Sequence, residues 1–165
     1  MSVQIVLKLG DIKGESIVEG HIGDIDVVSW SWGITQTGSS HIGSGGGAGA
    51  ADVHDLTITK YVDMASPNIA SFCYTGAPVP KETILTCIKV GGGSPDKQNK
   101  VEFVKITMSG TVMISSFSPA GAGSDERFTE TITIHFSQVQ YEYTTQKADN
   151  TKGTTVPSKL IKVGT

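Results

Sequence analysis

The sequence predicts a mainly β protein: a small β-barrel or sandwich of two packed antiparallel sheets with one short α-helix. Three observations carry the prediction. Apolar and polar residues alternate with period 2 through most of the chain, the pattern of half-buried strands. The alternating runs recur at short spacing with turn-forming residues between them. A single segment carries helical spacing together with helix-end signals. The chain of 165 residues, 38% hydrophobic and 18% charged, is too apolar for a disordered polymer and suits one domain over its whole length. The core of that domain is expected at about 3–150, with a less regular tail at 151–165.

The elements follow in order. "SVQIVLKLG" is a β-rich run closed by Gly10. "DIDVVSWSWGITQT" (24–37) places Val28, Trp30, Trp32 and Ile34 on one face and Ser29, Ser31, Gly33, Thr35 and Thr37 on the other. Its Val27-Val28 doublet breaks the phase, as a bulge does. "DVHDLTITKYV" (52–62) sets Leu56, Ile58 and Val62 against Asp55, Thr57 and Thr59. "SPNIASFCYTG" (66–76) is the helix: Ser66 as N-cap, Pro67 at N1, an apolar stripe of Ile69, Phe72 and Cys73, and Gly76 at the left-handed C′ position.

"TILTCIKV" (83–90) groups Ile84, Ile88 and Val90. "VEFVKITMSGTVMISSFS" (101–118) is long, with Gly110 marking a kink or bulge. "RFTETITIHFSQVQYEYTTQ" (127–146) directs Phe128, Ile132, Ile134 and Phe136 one way. After Ser137 its phase flips to Val139, Tyr141 and Tyr143, which predicts a bend or a passage between sheets. "SDERFTE" (124–130) reads as a hairpin tip in which Arg127 sits among carboxylates; Asp125, Glu126 and Arg127 are candidates for a contact to another subunit. The tail "KADNTKGTTVPSKLIKVGT" is polar and is expected to be loosely held.

The bulk numbers exclude several functions. A net charge of −3 with no basic block argues against nucleic acid as a partner. Two cysteines, Cys73 and Cys87, form neither a CxxC pair nor a disulfide framework; the default reading is two buried thiols, with a Cys73–Cys87 bridge as the alternative. The N-terminus lacks the features of a signal peptide, and no apolar run reaches membrane-spanning length. The chain is therefore expected in the cytoplasm, leaving the cell, if at all, without a cleavable signal.

The sites for chemistry are sparse. "GGGAGA" (45–50) matches the dinucleotide fingerprint GxGxx[GA] formally, but the next element alternates as a strand instead of opening a helix, so the pyrophosphate would lack its helix N-terminus. His21, His41, His54 and His135 form no metal-ligand spacing, and His54 and Asp55 point to opposite faces of a strand. No nucleophile elbow is present, although a triad assembled in space stays open. Neither metal nor cofactor is expected. The unusual feature is the small, uncharged face of Ser29, Ser31, Thr35, Thr57, Thr59, Thr129, Thr131 and Thr133, where solvent-facing strands ordinarily carry Lys and Glu. Such a face lines something, or is covered by something, without gripping it.

"IDVVSWSWG", "HIGSGGGAGAADVHDLTITKYVDMASPN" and "ISSFSPAGAGSDERFTETITIHFSQVQYEYTTQKAD", in this order, resemble the Hcp family, the haemolysin-coregulated tube proteins of bacterial type VI secretion, from about residue 3 to 150. The resemblance implies a tail-tube-like β-barrel that is not an enzyme and that forms hexameric rings. The rings stack into a tube and carry effector proteins in the lumen for export. Spike and sheath proteins of the secretion system would be further partners, without stable insertion into a membrane.

The same resemblance implies a role for the glycine-rich loop. Gly38, His41, Gly43, Gly45, Gly46, Gly47 and Gly49 would reach a neighbouring subunit or ring, while Ser29, Ser31, Thr57 and Thr59 would face the lumen and its cargo. Two departures stand out: the tail "VPSKLIKVGT" lacks an aromatic residue, and the turn "GGGSPDKQNKVEF" (91–103) is longer than usual. Two readings from other classes remain beside this one. They are a β-sandwich binding module for a ligand or glycan, with the glycine loop at its site, and a hydrolase with a scattered triad.

Overall fold

The computed structural model describes residues 2–37, 50–94 and 97–163. In chain order these form β1 (Ser2–Leu9), β2 (Ile25–Asp26), β3 (Ser29–Ser31), β4 (Ile34–Gln36), β5 (Ala51–Val53), β6 (Leu56–Tyr61), α1 (Ser66–Thr75), β7 (Thr83–Ser94), β8 (Lys97–Ala120), β9 (Thr129–Gln146), β10 (Lys152–Pro157) and β11 (Ile161–Lys162). Among the described residues, strands dominate and α1 is the one α-helix, as the alternation predicts.

The hydrogen-bonded order is β2-β1-β7-β8-β9-β6-β3, with β10 and β11 also pairing β9; β4 and β5 make a separate two-stranded ribbon. The two expected layers are thus continuous, because β8 and β9 are long enough to run through both. The first and last strands of the path, β2 and β3, are successive pieces of one segment, joined by Val27 and Val28. The Val27 amide donates to Ile5 O on β1 at 3.0 Å, and the Val28 amide donates to Thr59 O on β6 at 2.8 Å. The doublet that breaks the sequence phase is therefore the point where the chain leaves one edge of the curled sheet for the other, which bridges the two edges and covers part of each.

The switch corrects the single strand expected over 24–37. It divides into three short strands, Val27 is buried, and Val28 and Ile34 are exposed. Trp30 and Trp32 do pack against the core, half-buried.

The interior is filled by Leu7, Leu9 and Ile25 on one side and Leu56, Ile58, Ile132 and Ile134 on the other, with Leu85, Ile106 and Val139 between. Each such side chain contributes about 1.5–3 kcal/mol by leaving water. In β7 the inward residues are Leu85 and Cys87, while Ile88 and Val90 join Val6 in a second cluster on the outer face. The expected grouping of Ile84, Ile88 and Val90 is therefore the outer face; the register against β8 shifts between Cys87 and Ile88 while the alternation of β7 continues unbroken.

The corner predicted in β9 coincides with the bulge predicted in β8. Gly110 has φ 72° and lies within the register shift between Ser109 and Val112. A Cβ at Gly110 would stand 2.0 Å from Ser137 Oγ, the residue at which the β9 phase flips. The Thr111 amide donates to that hydroxyl at 2.8 Å. Phe136 and Val139 are both buried, three residues apart, as the flip requires.

Helix α1 ends as predicted: Gly76 is left-handed at φ 67° and its amide reaches Phe72 O. Its start differs. The N-cap is Ala65, because the Ser66 hydroxyl donates to Glu130 Oε1 at 2.6 Å and accepts the Asp63 amide at 3.0 Å. The stripe holds, with Ile69 buried and Phe72 and Cys73 half-buried against the barrel. Cys73 and Cys87 are free thiols.

Val62 and Phe128, expected inside, are exposed. Each lies beyond the end of the barrel interior, where their amide and carbonyl join at 2.9 Å to anchor the β8–β9 hairpin, and the Phe128 ring covers Gly121. The tail is better held than its composition predicts: β10 and β11 both pair β9, and Ile161 and Val163 pack on the core.

Candidate functional site: a hydroxyl-lined face

Strand alternation sends Trp30, Ile58, Ile132 and Phe117 toward the core, so their neighbours point away from it. Register then assembles these neighbours. Ser29 pairs Thr59, Thr59 pairs Thr131, and Thr131 pairs Ser118; one row further, Ser31 pairs Thr57, Thr57 pairs Thr133, and Thr133 pairs Ser116. Two rows of hydroxyls thus cross β3, β6, β9 and β8, with no ionisable side chain in either. Ser29 and Ser31 are exposed and Thr57 and Thr59 half-buried. Thr133 hydrogen-bonds Ser115 at 2.6 Å and Ser116 at 2.7 Å, which satisfies much of the polarity within the surface itself.

One end of this face carries charge. Asp55 accepts from the Ser115 hydroxyl at 2.7 Å and faces His135 Nδ1 at 2.8 Å. Beside it, the Trp32 indole N–H donates to His54 O at 2.9 Å, and the indole stacks on Tyr141 at a centroid distance of 6.1 Å. His54 Nε2 lies 3.6 Å from Asp52; His54 and Asp55 fall in the link between β5 and β6, not on a strand as alternation suggests, and both border the same cleft. Ser31, Trp32, Gly33, His54, Asp55 and Thr57 line a shallow, open cleft of ≈ 280 Å³. The serine here donates to the carboxylate and not to the imidazole, so Ser115, Asp55 and His135 do not have the order in which a histidine activates a nucleophile. Among the described residues, no group of three His, Cys, Asp or Glu side chains converges as metal ligands.

The other sequence-predicted residues fall apart from this face. Gly38, His41, Gly43, Gly45, Gly46, Gly47 and Gly49 lie outside the described residues. Asp125, Glu126 and Arg127 sit on the β8–β9 hairpin, exposed. Arg127 does not spend its charge on those carboxylates; its guanidinium lies 3.7 Å over the Tyr61 ring.

Sequence reasoning missed the buried pair Lys60 and Glu130, and the Asp55–His135 contact across 80 residues of chain. A signal existed for the first: Lys60 falls in the apolar phase of β6 and Glu130 in that of β9. Only the register shows that the two face one another.

The family profile described as "Type VI secretion system effector, Hcp" matches residues 6–143. The chain belongs to the Hcp family. "Protein hcp1" of Pseudomonas aeruginosa is 45% identical over 152 residues, covering 92% of this chain and 90% of that protein. The crystal structure of Hcp1 from Salmonella typhimurium superposes with a TM-score of 0.72 at 30% identity, over 95% of this chain and 92% of that one. A solved structure described as a type six secretion system protein reaches a TM-score of 0.84 at 27% identity, over 94% and 93%. This Hcp chain is therefore a structural tube/effector protein of type VI secretion, and the two hydroxyl rows are a property of an Hcp barrel. No described helix is long and apolar enough to cross a membrane.

Proposed function

We propose that six copies of this Hcp chain close into a ring, that rings stack into a tube, and that the hydroxyl rows form its lumen wall. A head-to-tail contact that closes makes a ring. The observation that carries the reading is the pair of four-strand hydroxyl rows, small and neutral, with their hydrogen-bonding capacity partly used within the face. A wall through which folded proteins travel must stay wet and offer no deep apolar pocket or dense charge to hold them. Ser29, Ser31, Thr57 and Thr59 meet that requirement.

The glycine-rich loop and the Asp125–Arg127 hairpin would supply contacts to neighbouring subunits or rings. A loop that orders on contact loses conformational entropy, which keeps such a contact moderate. The barrel acts as a structural carrier without catalysis, and leaves the cell with its cargo through the secretion machine. Sheath, spike and effector proteins are its partners.

Negative-stain microscopy with size-exclusion chromatography tests the ring: six-fold particles support it, and a monomer at micromolar concentration refutes it. Ser31→Gln tests the wall. It is expected to reduce co-purification of an effector while ring size stays constant. Ring collapse would instead place Ser31 at a subunit contact.

A further inference from the structure

The cleft at the end of the hydroxyl rows has the chemistry of a binding site for one kind of side chain. Its lining contains a carboxylate, an indole, an imidazole and two hydroxyls, and no Lys or Arg. Asp55 is two-thirds enclosed, with its side chain 33% exposed, and each oxygen already meets one fixed partner, His135 or Ser115. An ionised carboxylate offers about four acceptor sites, so unused acceptors remain. The Trp32 ring is fixed from two directions, by its N–H on His54 O and by its stacking on Tyr141. Gly33 borders the cleft beside the His54 ring, where a Cβ would stand 3.4 Å from Nδ1, at ordinary contact distance.

A planar cation matches this set. A guanidinium carries five donors in a fork that suits a carboxylate, and its face stacks on aromatic rings. We propose that this cleft takes an arginine side chain from the surface of a carried protein, with Asp55 accepting from the guanidinium, Trp32 flanking it, and Ser31 and Thr57 accepting its remaining N–H groups. The proposal rests on the hydroxyl face being the cargo-facing wall. One half-buried carboxylate in an open cleft and one ring hold a cation weakly. Repetition around a ring converts weak sites into retention that is still reversible.

The test uses the intact protein labelled with 5-fluorotryptophan. Trp30 and Trp32 are its two tryptophans, so two fluorine resonances report inside and beside the cleft. They are assigned by Trp32→Phe. N-acetyl-arginine amide is titrated against N-acetyl-citrulline amide, its uncharged analogue. The expected result is a saturable shift of the Trp32 resonance with the arginine compound at millimolar concentration, about fivefold or more weaker with citrulline, and none for Trp30. Asp55→Asn should erase the preference. Thr57→Arg, which keeps the carboxylate and fills the cleft from its own wall, should erase it too. Equal responses to both compounds, or an arginine preference that survives both substitutions, overturn the proposal. Light scattering on the same samples separates the two readings. Rings that ignore arginine sink the cleft alone. Arginine binding by a protein that forms no ring sinks the lumen reading, and with it the cargo role of the cleft.

Discussion

Lys60 Nζ lies 2.5 Å from Glu130 Oε1, directly across the β6–β9 ladder, and neither side chain is exposed at all. Lys60 also meets Tyr61 O at 2.9 Å, Asp63 Oδ1 at 2.8 Å and Ser66 Oγ at 3.3 Å. The network ties the start of α1 to the end of the barrel. Glu130 Oε2 is buried without a hydrogen-bond partner among the described residues, so this carboxylate depends on Lys60 and Ser66. Lys60→Met would leave a buried anion unpaired and is expected to cost about 3–5 kcal/mol. The double change Lys60→Met, Glu130→Met should recover most of that loss. Urea denaturation of the two variants measures both.

At the corner of the long hairpin, Gly110→Ala adds a methyl 2.0 Å from Ser137 Oγ at a backbone φ of 72°. Two separate costs arise, strain in the left-handed region and a steric overlap, together about 2 kcal/mol or more. Adding Ser137→Ala should relieve the overlap but not the backbone strain, so the double variant is expected to fall between the parent and Gly110→Ala in thermal stability.

The doublet that bridges the sheet edges gives a contrast between neighbours. Val27 is 9% exposed and Val28 46%. Val27→Ala is expected to cost about 2 kcal/mol, from lost transfer energy and a residual cavity, and Val28→Ala less than about 0.5 kcal/mol. Equal losses would contradict the switch of partner strand between them.

The thiols should differ in reactivity. Burial pushes the Cys87 thiol above its ordinary range, against a smaller opposing effect from contact with Trp30. A Cys87 thiol that holds its proton in the folded state but releases it more readily when unfolded makes stability fall as pH rises from the ordinary thiol range through the folded value. In the native protein Cys73, half-buried on α1, should react with a maleimide, and Cys87 only after denaturation. Cys87→Ala should flatten the alkaline loss of stability in a pH series.

Much of the fold can be read from alternation because a strand half in water must alternate, and because glycine and phase breaks mark where it cannot continue. Gly110, Ser137, Gly76 and the Val27-Val28 doublet are all visible in this way. The exposure of Val62 and Phe128 is not, since alternation states which side a residue takes but not how far the barrel extends along the strand. The hydroxyl face is legible strand by strand as Ser29, Ser31, Thr57, Thr59, Thr131 and Thr133. The contributions of Ser115 and Ser116 depend on the register shift between Ile114 and Ser116, which no local pattern announces.

The sequence by itself determined the β architecture, the one helix and its C-terminal stop, the corner in the long hairpin, the uncharged face and the family. These follow from properties local to a few residues: side-chain polarity at period 2, backbone freedom at glycine, and motif order. The tertiary structure alone decided that β2 and β3 bridge the two edges of the sheet, that Lys60 meets Glu130 in its wall, and that Asp55, Ser115 and His135 gather beside Trp32. Each of these is a pairing of distant segments. Its energy comes from burying or bonding two groups together, so it depends on which strands become neighbours and in what register.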